Sequence, residues 1–203
     1  MWALVQDEQV TKTFNYAKGF VLNDTQYPAD IFTKWSKAEK EAIGIYEIET
    51  DSSNYKDPAY YNNTNEQYNF ADGQVTKSWG TATAKRLNDE NAVDEDGNNL
   101  LDDDGNQVIN YGLKTEKKRI VKQQASGLLA PTDWYVVKST EVADYDIPAN
   151  ILSFRADVRT KSNEMETQID ACTTVDELKA LYEYTTQEDG TQTRPLAEFP
   201  KEI

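Results

Sequence analysis

The chain contains no histidine and only one cysteine, Cys172, among 203 residues. Intrachain disulfides and Cys/His zinc sites are therefore excluded. Any general base would have to be Asp, Glu, Lys or Tyr. Cys172 falls on the apolar side of a predicted helix and reads as a small core residue rather than a nucleophile. Long apolar runs are also missing, and no stretch reaches the roughly 18 residues that a membrane span needs. The opening residues, Met1-Trp2-Ala3-Leu4-Val5-Gln6-Asp7-Glu8, lack the basic-then-apolar order of a signal peptide. Synthesis and folding in the cytosol are expected. Basic residues are few: 21 Lys and Arg stand against 36 Asp and Glu, a net charge of -15. Such a field repels phosphate backbones and anionic bilayers, so no nucleic acid and no membrane partner is expected. It serves solubility or steers a basic partner, and composition alone leaves both open.

The motifs of catalysis are absent as well. There is no phosphate-cradling glycine loop, no Gly-x-Ser-x-Gly elbow, and no Ser-x-x-Lys with its usual partners. A carboxylate pair cannot be picked out among so many acids. The expectation is a protein that is not an enzyme, with no catalytic residue, cofactor or bound metal. What is present is aromatic: 12 Tyr, 6 Phe and 4 Trp supply much of a 38% hydrophobic content. That balance suggests β-structure and polar interfaces more than a large oily core.

The predicted fold class is α+β. It comprises a small amino-terminal β-rich domain with one helix (residues 1–87), an acidic β-hairpin arm (88–111), a carboxyl-terminal helical module (112–186) and an extended tail (187–203). Trp2–Val5 and Val10–Phe14 form a predicted hairpin. An amphipathic stretch from Asp30 to Ile43 contains a capping box at Ser36-Lys37-Ala38-Glu39, and Gly44 stops it. Ile45–Glu49 alternates with period two and reads as a strand. The Asp72-Gly73 pair predicts a hairpin joining Gln67–Phe70 to Gln74–Trp79. Between the two hairpins, residues 50–66 read as loop, with Asn54, Asn62, Asn63 and Asn65 among Tyr55, Tyr60 and Tyr61.

The middle of the chain holds a short repeat. Asp94-Glu95-Asp96-Gly97-Asn98-Asn99-Leu100-Leu101 is followed at once by Asp102-Asp103-Asp104-Gly105-Asn106-Gln107-Val108-Ile109. EF-hand spacing fails: counted from Asp94, the sixth position is Asn99 where Gly is needed, and the twelfth is Gly105 where Glu belongs. Hairpin turns and a cation site of another kind remain the two readings. Farther on, Leu113, Ile120, Val121 and Leu128 lie roughly on one side of a predicted helix, and Pro131-Thr132-Asp133 starts a short one. Pro148 opens the longest helix. Along it Ile151, Arg155, Val158, Ser162, Met165, Ile169 and Cys172 recur at steps of four and three, with Phe154 beside them. This heptad-like seam packs within the chain or mediates self-association. Thr174-Val175-Asp176-Glu177 is a second capping box, opening a last helix with Leu178, Leu181 and Tyr182.

Leu129 to Val137, with its Thr132-Asp133-Trp134 core, is followed by Ile147-Pro148-Ala149, Phe154-Arg155-Ala156-Asp157-Val158-Arg159 and Thr174–Leu178. The set resembles a helical module at the carboxyl end of tail-fibre assembly chaperones and related tail proteins of tailed bacteriophages, with Phe154 in place of the usual Tyr. Tyr27-Pro28, Ile31–Ser36 and Ile43–Tyr46 are similar to the opening domain of small phage tail proteins. The two stretches span about half of the chain, and the acidic arm lies outside both. The resemblance implies a virion component of the tail, baseplate or fibre attachment, or a fibre-assembly chaperone. Its implied partners are other phage tail or fibre proteins, with a homo-oligomer such as a trimer as a further expectation. From the residues themselves, Asp133 can cap, Trp134 can anchor the short helix, and Arg155 and Arg159 can pair with carboxylates of neighbouring segments. The candidate interaction surface is Tyr55, Tyr60, Tyr61, Trp134, Phe154, Arg155 and Arg159. The Tyr/Asn loop is either a recognition surface for protein or glycan, or ordinary packing.

Overall fold

In the computed structural model of the chain, residues 1–201 are described, and they are α+β. The chain divides into two compact units, Met1–Thr83 and Ala84–Ile203.

Five strands make the sheet of the first unit: β1 (Trp2–Gln6), β2 (Gln9–Phe14), β5 (Ile45–Thr50), β7 (Gln67–Ala71) and β8 (Gln74–Ser78). Their order is β2-β1-β5-β8-β7. All neighbours are antiparallel except β5 and β8, which run parallel. The turn Asp7-Glu8 has φ 51° and 61°, and Asp72-Gly73 has 51° and 75°. Left-handed φ at both central residues is the conformation that matches strand twist in a two-residue hairpin. A third turn of this kind, Asn23-Asp24, joins β3 (Phe20–Leu22) to β4 (Thr25–Tyr27), a hairpin not anticipated from the sequence. The expected single helix over 30–43 is two short ones, α1 (Ile31–Lys34) and α2 (Lys37–Glu41). Ser36 sits in extended conformation so that its side chain can cap α2 in a complete capping box with Glu39, and that breaks the run.

Gly44 ends this segment at φ +80°, and its carbonyl accepts from the Val5 amide at 2.8 Å. A Cβ there would stand 2.6 Å from the Val5 carbonyl oxygen, so both conformation and space require glycine. The helices cover one face of the sheet over Leu4, Phe14, Phe20, Ile31, Phe32 and Ile45, all buried. Aromatic rings dominate this core, with Phe14 5.0 Å from Phe20 and 5.1 Å from Phe32 between centroids. Two further short strands, β6 (Tyr61–Asn62) and β9 (Thr83–Ala84), complete the stretch.

The second unit opens with the acidic repeat, which is not one hairpin arm. Strands β10 (Glu90–Asn91) and β11 (Ile109–Asn110) form the neck, and two tight hairpins lie between them, bridged at Val93–Asn99 and Leu101–Gln107. The Ala92 amide donates to the Val108 carbonyl, Val108 to Leu100, and Leu100 to Ala92, at 2.8, 2.9 and 2.9 Å. Residues eight apart thus close a backbone ring, and the neck and the two hairpins radiate from it as a trefoil. The repeat has three copies of its apolar part, Asn91-Ala92-Val93, Asn99-Leu100-Leu101 and Gln107-Val108-Ile109, where the sequence reading found two. Gln107, one methylene longer than Asn91 and Asn99, extends its Nε2 to the Ala92, Leu100 and Val108 carbonyls at 2.9, 3.2 and 2.8 Å. Its buried Oε1 has no partner among the described residues.

Helix α3 (Leu113–Leu129) follows, capped from a distance: Asp89 accepts from the Gly112 amide at 2.7 Å and the Thr115 hydroxyl at 2.9 Å. A 3-10 turn (Ala130–Thr132) and α4 (Asp133–Glu141) lead to α5 (Ala149–Ala171), which runs antiparallel to α3. Lys118–Asp170 and Lys122–Glu166 ion pairs, at 2.8 and 3.2 Å, bridge the two helices in that direction. Every residue of the α5 seam is buried, Phe154 and Cys172 included. The seam packs within the chain, against Ala125, Leu128 and Leu129 of α3 near Phe154 and Val158. Ile120 departs from the expected α3 face; it is exposed, and the buried positions are Val121 and Ala125. Helix α6 (Val175–Ala180) begins at the Thr174–Glu177 capping box. The tail is not extended. Over residues 187–201 it turns so that β13 (Gln192–Thr193) pairs back on β12 (Thr185–Thr186), then buries Leu196, whose amide donates to the Leu181 carbonyl. Phe199 joins the α3–α5 core, because these two apolar side chains give the polar segment something to bury.

Candidate functional site

Leu129, Thr132 and Asp133, three of the residues in the carboxyl-terminal set, come together on Arg155. Its Nη1 donates to the Leu129 carbonyl at 3.1 Å, the Thr132 hydroxyl at 2.5 Å and an Asp133 carboxylate oxygen at 2.8 Å. Thr132 in turn donates to the Leu129 carbonyl at 2.7 Å. A buried guanidinium needs such a set of acceptors, because desolvating an unpaired charge costs several kcal/mol. The Asp133 end is open to water, so its own share is that of a partly screened pair. Asp133 therefore serves as the Arg155 partner and makes no side-chain cap on α4. Arg159 donates to the Arg155 carbonyl at 3.3 Å rather than to a carboxylate.

This latch pins the start of α4 while leaving the helix itself uncovered. No residue of α4 is buried. Trp134 is 51% exposed and Val137 52%. Trp134 is thus no internal anchor; its ring lies against Tyr135 at 3.9 Å between centroids. Lys138 lies over the Trp134 ring and, at 4.1 Å, over the Tyr145 ring. Cation–π contacts of this kind hold an exposed aromatic in place without burying it.

Of the other expected surface residues, Phe154 and Arg155 are buried in the module, and Tyr60 and Tyr61 are buried in the first unit. Four of the seven are therefore inaccessible. Seam position predicts burial for Phe154 and Arg155, but nothing local distinguishes Tyr60 and Tyr61 from Tyr55. Tyr55 is exposed and packs on Trp79 at 4.8 Å. The Tyr/Asn loop is ordered by its own amides. Asn63 accepts from the Lys56 amide at 2.9 Å and donates to its carbonyl at 2.7 Å, reproducing a backbone pairing. A groove of about 450 Å³ beside Gly44 is lined by Gln6, Asn23, Thr25 and Tyr27 among others, with no carboxylate, lysine or cysteine among the described residues.

The acidic turns repeat atom for atom. One Asp94 oxygen accepts from the Asp96 and Asn98 amides at 3.0 and 2.8 Å, and Asp102 accepts from Asp104 and Asn106 at the same distances. The Asn98 and Asn106 amides hold these carboxyls below the usual aspartate range. Gly97 and Gly105 supply the left-handed residue that ends each turn. Both aspartates are engaged as turn acceptors. Among the described residues, no group of three or more Cys, Asp or Glu is placed to hold a metal ion. No described helix is long and apolar enough to cross a membrane. Burial raises the Cys172 thiol, which donates to the Gln168 carbonyl.

No family model, curated protein or solved structure matches this chain.

Proposed function

We propose that the chain is a non-enzymatic component of a bacteriophage tail, baseplate or tail-fibre attachment region, residing in the virion and acting through protein–protein contacts. The observation that carries this reading is α4, a helix that carries Trp134, Tyr135, Val136 and Val137 with no buried residue, fixed at its start by the Arg155 latch. An ordered helix presenting Trp134 and Val137 to solvent is what a docking element needs: an aromatic anchor whose position is set before binding. The latch is built from four of the residues on which the resemblance to phage tail proteins rests, Leu129, Thr132, Asp133 and Arg155, and this supports the reading.

The second reading is a tail-fibre assembly chaperone, favoured by the position of the resemblance in the carboxyl-terminal module. A glycan-binding loop has less support, since Tyr60 and Tyr61 are buried. Mass spectrometry of purified particles separates the first two. Peptides of this chain at stoichiometric level support the structural role, and their absence from mature particles would sink it in favour of the chaperone. Light scattering at micromolar concentration tests the trimer, and a monomeric mass counts against self-assembly without a partner.

A further inference from the structure

We infer that one face of the trefoil at residues 90–110 is a docking surface for a protein that carries Lys and Arg side chains around an apolar patch. The inference rests on the protein-binding reading above but concerns a different element from α4. Strand geometry places alternate side chains on opposite faces and opposed residues on the same one, so Val93, Leu101 and Ile109, each one residue beyond a ring position, share a face with their pairing partners Asn99, Gln107 and Asn91. Val93 is 54% and Leu101 55% exposed. These side chains do not hold the trefoil together; the backbone ring, the Gln107 amide and the two aspartate turns do that. The face thus sets three aliphatic side chains among three amides and is fixed in shape before any partner arrives, which lowers the ordering cost of binding.

Charge selects the occupant. Asp94 and Asp102 turn inward to their own amides, whereas Glu95, Asp96, Asp103 and Asp104 sit at the exposed hairpin tips with no cation paired to them among the described residues. A face of aliphatic and amide side chains flanked by such tips is complementary to a basic rim around a largely apolar centre. A second copy of this chain, at net charge -15, would bring like charges together. Nucleic acid and anionic lipid are disfavoured on the same ground.

The test is an amide-shift titration of the full ¹⁵N-labelled chain with an amphipathic helical peptide of Lys and Leu at moderate salt. Shifts concentrated between residues 93 and 107 are expected. Leu101→Asn should weaken binding about tenfold or more with no change in charge, and the double variant Asp103→Asn/Asp104→Asn should weaken it severalfold. Slow exchange of the Ala92, Leu100 and Val108 amides verifies that each variant keeps the ring; if Leu101→Asn opens it, Val93→Asn takes its place. Shifts scattered over the acidic surface, Leu101→Asn and Val93→Asn binding like the unaltered chain, or no binding would each overturn the inference. Detection in virions decides the tail reading separately, so failure of one is distinguishable from failure of the other.

Discussion

In the helical module Val158, Met165, Ile169 and Leu178 are almost entirely inaccessible to solvent, whereas in the trefoil just before it only Ala92 is buried. The module is ordered by removing apolar surface from water, and its polar links, such as Lys118–Asp170, lie at the margin. The trefoil buries little and is ordered by backbone groups meeting one another and three side chains, Asp94, Asp102 and Gln107. The difference teaches that a stretch of 21 residues can be defined without a core when every turn and ring contact is repeated. Stability of the two segments should therefore respond to different perturbations.

The largest effect is expected from Ile169→Ala. Emptying a fully buried position should cost about 2–5 kcal/mol of unfolding free energy for the module, read by chemical denaturation. Next, Arg155→Met keeps the volume but removes the donor to the Thr132 hydroxyl and Asp133 and one of the donors to the Leu129 carbonyl, which keeps Thr132. A loss of about 1–3 kcal/mol is expected, with Asp133→Asn costing less than about 1 because that side chain faces water. A cost for Asp133→Asn equal to that of Arg155→Met would show that the pair, and not the carbonyl and hydroxyl, carries the latch.

Gln107→Ala removes the amide from the three ring carbonyls and should cost about 1–2 kcal/mol locally. Hydrogen exchange of the Ala92, Leu100 and Val108 amides should accelerate while exchange in α5 stays unchanged; equal acceleration in both would merge the two segments into one cooperative unit. The smallest effect concerns pH. Asp94 and Asp102 are held below their ordinary values by the Asn98 and Asn106 amides. Their contribution is fully present above the unfolded value near pH 4 and is lost as pH falls through the lower folded values. The Asn98 and Asn106 amide resonances should titrate together in that acid range, ahead of any change in the buried methyl signals of the module.

Much of this comparison was legible in the sequence because its signals are local. Both capping boxes, the Asp72-Gly73 hairpin, the stop at Gly44 and the α5 seam depend on residues within a few positions of one another, and each is present. The trefoil was half legible. The two Asp-x-Asp-Gly-Asn turns are visible as a repeat, but the ring is closed by Asn91-Ala92-Val93, which has no acidic turn before it. The candidate site was less legible still. Trp134 and Tyr55 are exposed, while Tyr60 and Tyr61 are buried, because a tyrosine has both an apolar ring and a polar tip and suits either environment.

By itself the sequence determined the α+β class, the turn positions, the caps and the identity of the helix face to be buried, since each follows from backbone preference or hydrophobic period. Only the tertiary structure decided what that face meets. It placed Arg155 on Leu129, Thr132 and Asp133, brought Leu196 and Phe199 back from the tail, and left α4 uncovered. Those outcomes depend on which surfaces of distant segments arrive at the same place, and a buried charge or an exposed tryptophan is defined by its neighbours in space rather than in sequence.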